Sequence, residues 1–370
     1  MKKVLVVADT YFPKIDGIMR SLQEIVPRIA QSFDITLLVP NLGGNWEYKE
    51  VLIKVSRLIK LSGYPSIALT PSNIKKIKTA VRSSDIVFIQ GPALLSILSI
   101  YYARKYHKTV MYYIHSVLWE LYEKHIPTWT RKIVITAFRK VMIYTYNKCN
   151  VLMMPYSSLV EQFADLNITA KKEIVHLGVD NKIFTPPQSK DEAKRRLGID
   201  PKYTVVGYIG RISKEKNVAV LCAAVQRLQD DHKIMLLIVG NGTRQEVDNL
   251  PKVRNMLWPG FQKDVAPYYQ AMDIFVMPSL TETTSLATLE AMATGVPVIT
   301  TKVGFLKEYV KRNVNGLLFP KGNVFTLVLQ LRKLIKNKNL RMYMGKNARQ
   351  TAREFSWDKT ARRIKEIMQR

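Results

Sequence analysis

Short apolar runs of strand length alternate with amphipathic stretches along this chain, and the alternation occurs twice, on either side of a proline-bearing break. That pattern restricts the chain to the α/β class. The first series places strands near residues 4–8, 35–39, 86–90, 110–114, 151–155 and 174–176, with helices at 21–31 and 72–82 among them. Residues 180–190, with Pro186-Pro187, read as a linker. The second series places strands near 204–209, 235–239, 253–258, 274–277, 298–300 and 316–319, with a helix near 217–230. A chain of 370 residues exceeds the usual single-domain size, and 47% hydrophobic residues suffice for two cores. Two doubly wound halves with a cleft between them would take ligands at the carboxyl ends of their strands.

The densest chemical signal lies in SLTETTSLATLEAMATGVPVIT. An apolar run meets Pro278-Ser279, and a turn then carries Glu282. Thr283, Thr284 and Ser285 precede a helix reading L-A-T-L-E-A-M-A, which Gly295 and Pro297 stop. Thr284 or Ser285 is the candidate N-cap, since a hydroxyl there accepts an orphan backbone N–H. Free amides and the positive end of the helix dipole suit a diphosphate. Glu282 is expected at the mouth and Glu290 about two turns in. Carboxylates so placed accept hydrogen bonds from two sets of hydroxyls, such as those of a sugar and a ribose. A plain strand–turn–helix, with one solvated Glu and one Glu favoured by the dipole, accounts for the spacing equally well.

Other candidates close other strands. After residues 4–8 comes Asp9-Thr10-Tyr11-Phe12-Pro13, and Asp16-Gly17 opens a helix. Glycine there lets the backbone approach a phosphate closely, although a simple loop glycine reads the same. Asp16 could bind a polar acceptor hydroxyl. His115 ends the run 110–114, where it can hydrogen-bond a sugar, whereas a lone histidine is ordinarily structural. His107, His125, His176 and His232 have no comparable setting. Gly210-Arg211 follow a strand, with Lys216 five residues on. The guanidinium fork matches phosphate oxygens, and the lysine adds a point charge. Gly240-Asn241-Gly242 and Trp258-Pro259-Gly260-Phe261 close two further strands.

Taken in order, these segments resemble the large retaining, nucleotide-sugar-dependent glycosyltransferase family of GT-B fold with an E-x7-E element, the group 1 or family 4 type. VLVVADTYFPKIDGIMRSLQEIVPRIA, VHLGVDNKIFTP, VVGYIGRISKEKNVAVLCAAV, LLIVGNGT, GVPVITTKVGFLKEYVKRNVNGLLF and FSWDKTARRIKEI carry the rest of the likeness, from about residue 3 to about residue 367. The resemblance implies an acceptor-binding Rossmann-like domain at 1–183, completed by a C-terminal helix at 356–370, and a nucleotide-sugar domain at 184–355. His115, Glu282, Arg211 and Lys216 would be catalytic. Gly17, Gly210, Arg211, Lys216, Phe261, Glu282, Thr284, Ser285, Leu286 and Glu290 would hold the donor, and Tyr11, Asp16 and His115 the acceptor. Arg211, Lys216 and the amides at Ser285-Leu286 would stabilise the leaving diphosphate.

The resemblance also implies retention at the anomeric carbon, with the leaving phosphate assisting deprotonation of the acceptor. With no Asp-x-Asp after a donor-domain strand, no divalent metal and no cofactor beyond the co-substrate are expected. UDP-glucose and GDP-mannose both fit. Thr283 stands where many relatives have glycine, so glucose, galactose and mannose all stay open.

Charge bears on the acceptor. Fifty-seven Lys and Arg against 29 Asp and Glu give a formal charge of +28, which calls for an anionic partner. Basic residues crowd 49–108 and 131–148, near Trp119, Tyr122, Trp129, Phe138, Tyr144 and Tyr146. Such a mixture suits an anionic membrane interface, reached through residues 75–78 and 131–148. The acceptor is then expected to be a lipid such as diacylglycerol, phosphatidylinositol or a polyprenyl-linked sugar. A soluble polysaccharide or sugar phosphate is the alternative acceptor, and a uniformly basic proteome is another source of charge.

No nucleic-acid-binding signature is present. A nicotinamide oxidoreductase would need G-x-G-x-x-G after a first strand, and neither half has it. An inactive basic binding protein would have no use for His115, Arg211, Lys216, Glu282 and Glu290 together. MKKVLVVA reads as a buried strand rather than a leader, and Cys149 and Cys222 as reduced core residues. A cytoplasmic protein on the inner membrane face, monomer or homodimer, is expected.

Overall fold

The computed structural model describes residues 1–13, 16–61, 64–117, 119, 126, 128–230 and 233–370. Tyr122, His125 and His232 lie outside these residues. The chain forms two compact units, Met1–Leu177 with Trp357–Arg370, and Gly178–Ser356.

The first unit is built on a seven-stranded, wholly parallel sheet. Its strands are β1 (Lys3–Val7), β2 (Asp34–Pro40), β3 (Lys49–Ile53), β6 (Ile86–Ile89), β7 (Thr109–Tyr113), β8 (Val151–Met154) and β9 (Lys171–Ile174). Between β3 and β6 the strands β4 (Val55–Leu61) and β5 (Tyr64–Ile67) pair only with each other. The order β3-β2-β1-β6-β7-β8-β9 runs outward in both directions from the β1–β6 pair. Central strands read as unbroken apolar runs, V-L-V-V in β1 and I-V-F-I in β6, because helices cover both faces of a parallel sheet.

β3 and β9 escape the periodic reading, or shift against it, for one physical reason. Both are edge strands that open on lysine: Lys49, and Lys171-Lys172. Charge at a sheet edge protects it from further pairing and hides the apolar signal. Hence β9 lies at Lys171–Ile174 and not at 174–176.

The second unit carries a six-stranded parallel sheet. Its strands are β10 (Thr204–Ile209), β11 (Ile234–Val239), β12 (Met256–Gly260), β13 (Ile274–Met277), β14 (Val298–Thr301) and β15 (Gly316–Phe319), in the order β12-β11-β10-β13-β14-β15. It runs outward from the β10–β13 pair. β12 lies later than residues 253–258 and contains Pro259, which an edge strand tolerates since it need donate no ladder bond on its free side.

The C-terminal helix Trp357–Gln369 belongs to the first unit. It buries Trp357, Ala361, Ile364, Ile367 and Met368 on one face. Thr360 donates to the His176 carbonyl at 2.7 Å, and Asp358 and Arg363 pair with Arg28 and Glu173 at 2.8 and 2.7 Å. His176 is structural, with Nδ1 at 2.7 Å from the Pro155 carbonyl.

Candidate active site

In each unit most of the sequence-predicted residues follow a strand of the pair where the winding direction reverses, the place where a doubly wound sheet leaves room for a ligand, while His115 follows β7 and Phe261 follows β12. Each unit builds its site differently.

In the second unit β10 delivers Gly210 and Arg211, and β13 delivers Ser279 and Glu282. Gly240, after β11, has φ 133°, and a Cβ there would overlap the Gly210 carbonyl, so the two strand ends meet backbone to backbone. Gly240 N donates to Gly260 O at 2.8 Å, and the Trp258 indole donates to Gly240 O at 2.8 Å. Phe261 follows β12 and is exposed.

Lys216 Nζ lies 2.7 Å from Glu282 Oε1, which also accepts from Ser279 Oγ at 2.7 Å. Only 7% of the Glu282 side chain is exposed. Arg211 Nη2 bonds Glu215 Oε1 at 2.6 Å, while 61% of its side chain faces solvent. Leu280 N donates to the Glu215 carbonyl at 2.8 Å, tying the β10 and β13 loops together. Both candidate phosphate-binding cations are therefore held by carboxylates, Lys216 half-buried and Arg211 largely exposed.

Glu290 lies just over one turn into the helix Leu286–Ala293, not two, because the helix begins only at Leu286. It is buried, and Tyr269 donates to its Oε2 at 2.9 Å. The expected hydroxyl cap is absent. Ser285 occupies the N-cap position at φ 60°, and its hydroxyl pairs with Thr288 Oγ1 at 2.8 Å rather than with a helix amide. No side-chain oxygen caps the helix, so the amides at its start stay available to a ligand. Thr284 is buried, its Oγ1 has no partner, and its carbonyl accepts from Tyr309 at 3.0 Å. Gly304 closes this loop from outside, since a Cβ there would overlap the Glu282 carbonyl.

In the first unit Asp16 caps the helix Gly17–Ala30, its Oδ1 accepting from Ile18 N and Met19 N at 3.0 and 2.9 Å. That bond accounts for the aspartate without a ligand. Gly17 has open space where a side chain would stand, so the fold itself does not demand glycine there. Tyr11 is buried and its hydroxyl bonds Glu50, which engages it inside its own domain.

His115, two residues past β7, is half-buried, with Nε2 2.8 Å from Gln90 Oε1 and its ring 4.6 Å from that of Tyr113. Burial pushes its pKa down to about 4, against the pull of the Asp16 charge. The imidazole is neutral near pH 7.

Several residues here were not singled out in the sequence. Asp9, after β1, is half-buried and accepts from Ala93 N, Leu95 N and Ser96 Oγ at 2.9, 3.1 and 2.6 Å. It thus caps the helix Leu94–Lys105 from a different part of the chain. Burial raises its pKa against the lowering effect of those bonds. Glu215 carried a legible signal, four residues from Arg211. Gln90 is the polar end of an apolar strand, while Tyr269 offers no signal at all.

Two domain families match in tandem. Residues 15–182 match the glycosyltransferase family 4 model, and residues 189–351 match the model for glycosyl transferases group 1. The chain belongs to this glycosyltransferase family, and its two Rossmann-like sheets are those of the GT-B fold.

Among its relatives is the sulfoquinovosyl transferase SQD2 of Arabidopsis thaliana, 25% identical over 317 residues, which cover 81% of this chain and 59% of that protein. The alpha-monoglucosyldiacylglycerol synthase of Streptococcus pneumoniae is 23% identical over 338 residues, covering 84% and 74%. This chain thus spans about three-fifths of the first relative's length. Among solved structures, Anabaena Alr3699/HepE in complex with UDP and glucose superposes with a TM-score of 0.81 at 17% identity, covering 100% of both chains.

Two outcomes follow from this geometry. Removing Lys216 leaves Glu282 buried with only Ser279. Lys216→Met should therefore cost about 3 kcal/mol, and Lys216→Met with Glu282→Gln should recover most of it. Urea denaturation of the four proteins measures the coupling. For His115, the unfolded state binds more protons than the native state between pH 6.5 and about 4, so stability rises with pH across that window. His115→Gln should flatten that slope in pH-dependent melting, relative to the parent chain.

Proposed function

We propose that this chain transfers a hexose, with retention, from a nucleotide diphosphate sugar to a hydroxyl of a membrane lipid. The observation that carries the donor half is the group after β10 and β13: Arg211 with its fork largely free, Lys216 beside Glu282, and an uncapped helix start at Leu286. These supply fixed positive charge where a diphosphate leaving group becomes more negative, often the largest single catalytic contribution. The bond from C1 to the diphosphate oxygen breaks as the bond from C1 to the acceptor oxygen forms on the same face. The acceptor proton passes to the departing phosphate oxygen. Glu282 takes hydroxyls of the sugar and Glu290 those of the ribose, with Tyr269 fixing the orientation of Glu290. No step requires a divalent metal. The binding of UDP and glucose by HepE, which shares this fold, supports the same donor class here.

The lipid acceptor is supported by the relative whose name specifies diacylglycerol and by one helix of the first unit. On Thr128–Tyr146, Trp129 is 84%, Ile133 75% and Tyr144 65% exposed. Arg131, Lys132, Arg139 and Lys140 share that helix, and it contains no acid. Apolar side chains entering the headgroup region and cations above it form an interfacial helix, each cation contributing about 1 kcal/mol at an anionic leaflet. No helix among the described residues is long and apolar enough to cross a membrane.

The test begins with melting in the presence of UDP, GDP and ADP. One nucleotide should stabilise the chain by about 2.7 kcal/mol at a hundredfold excess over its dissociation constant, and Arg211→Ala should abolish that shift. In parallel, the chain should sediment with phosphatidylglycerol vesicles at low salt, detach at high salt, and bind more weakly as Trp129→Ala. Absence of any nucleotide shift, with and without vesicles, would remove the donor reading. Absence of vesicle binding would move the acceptor to a soluble molecule.

A further inference from the structure

Gln90 stands directly after β6, at the edge where the first sheet reverses its winding. Its backbone N–H donates to Val7 O at 2.8 Å, continuing the ladder with β1. The next residue, Gly91, has no room for a side chain, because a Cβ would come 2.5 Å from Asp9 Oδ2. Asp9 is itself tied to the start of the helix Leu94–Lys105. The chain at Gln90 is thereby fixed from three sides.

The Gln90 side chain is fully buried, a setting in which an amide is costly unless it is used. Its Oε1 sits 2.8 Å from His115 Nε2, while its own Nε2 has no partner. The group thus serves the imidazole and nothing else among the described residues. Among the described residues the Tyr113 ring lies tilted by 40° against the imidazole at 4.6 Å, and the Asp16 carboxylate acts on it through charge.

We propose that Gln90 is a positioning residue that selects the tautomer of His115. The amide oxygen accepts the Nε2 hydrogen, so the neutral ring keeps its Nδ1 lone pair for a hydrogen bond from a hydroxyl of the transferred sugar. With the amide reversed, its NH2 group would face Nε2 and the ring would carry hydrogen on Nδ1, a donor instead of an acceptor. The orientation of one buried amide therefore decides which hydrogen bond His115 offers. This rests on the reading of His115 as a sugar contact, but its first test does not.

Long-range proton–nitrogen spectra of the unliganded chain report the tautomer directly. The parent protein should show hydrogen on Nε2 alone. Gln90→Leu, close in volume, should give a mixture of both tautomers and a turnover lower by roughly tenfold, the loss of one net hydrogen bond, with donor KM unchanged. Gln90→Glu should keep the Nε2 hydrogen but move the His115 titration to higher pH, carrying the acid limb of the rate profile with it. Hydrogen on Nδ1 in the parent protein overturns the proposal, as does a Gln90→Leu spectrum still showing Nε2 hydrogen alone. Should Gln90→Leu not fold, an unmoved His115 titration in Gln90→Glu overturns it equally. A correct tautomer with no transferase activity would refute the reading of His115 instead.

Discussion

A parallel sheet wound outward from an internal pair of strands sends the loops after those two strands in opposite directions, and the gap between them is the one place where backbone and side chains can converge on a ligand. The candidate residues considered above cluster largely around that constraint. In the second unit the pair is β10 and β13, and the residues that answer it are Arg211, Lys216, Ser279 and Glu282. In the first it is β1 and β6, and the residues are Asp9, Gln90 and, one strand over, His115. The strands meet closely only because glycine stands at positions such as 240, where any side chain would force the strand ends apart.

At the candidate site of the second unit, Arg211 and Lys216 each have a carboxylate partner in the unliganded chain. Lys216 with Glu282, and Arg211 with Glu215, are two opposed pairs at 2.7 and 2.6 Å. In the proposed reaction a diphosphate would enter by competing for cations that are already partnered. For Arg211 the competition is mild, since its fork is mostly in water and an exposed pair is worth at most about 1 kcal/mol. Glu282 is different. It is nearly buried, so a ligand that drew Lys216 away would have to supply the carboxylate with hydroxyl donors in return. A sugar joined to a diphosphate brings both at once, whereas a bare phosphate brings only the anion. In the proposed reaction the pair would thus favour an intact nucleotide sugar over its separated parts.

Much of this was legible in the residues. The twofold strand–helix alternation predicts two parallel sheets, and both are present. The strands that shifted are edge strands, where charge or proline replaces the apolar run that marks a buried strand. The Arg211–Lys216 and Glu282–Glu290 segments stand out because chemistry-bearing residues follow directly on apolar strands. Ser285 misled because propensity makes it a cap, while its left-handed backbone turns the hydroxyl toward Thr288. Asp9 and Gln90 were hidden for a different reason. Their partners lie 84 to 87 and 25 positions away in the chain, and no local pattern encodes a contact made only when strands pair.

The two sheets thus meet one topological constraint with opposite electrostatics. The second unit sets paired ions around its strand ends, a construction suited to a ligand of high charge. The first has no such ion pair at its switch point among the described residues. Its half-buried Asp9 caps a helix, and burial keeps His115 neutral. A neutral imidazole and a buried amide recognise hydroxyl groups without demanding a counter-charge. The exposed helix Thr128–Tyr146 carries Arg131, Lys132, Arg139 and Lys140 and no acid, in addition to the basic residues of 49–108. Under the proposed function these cations would attract an anionic surface, while the neutral His115 would take a hydroxyl without a counter-charge.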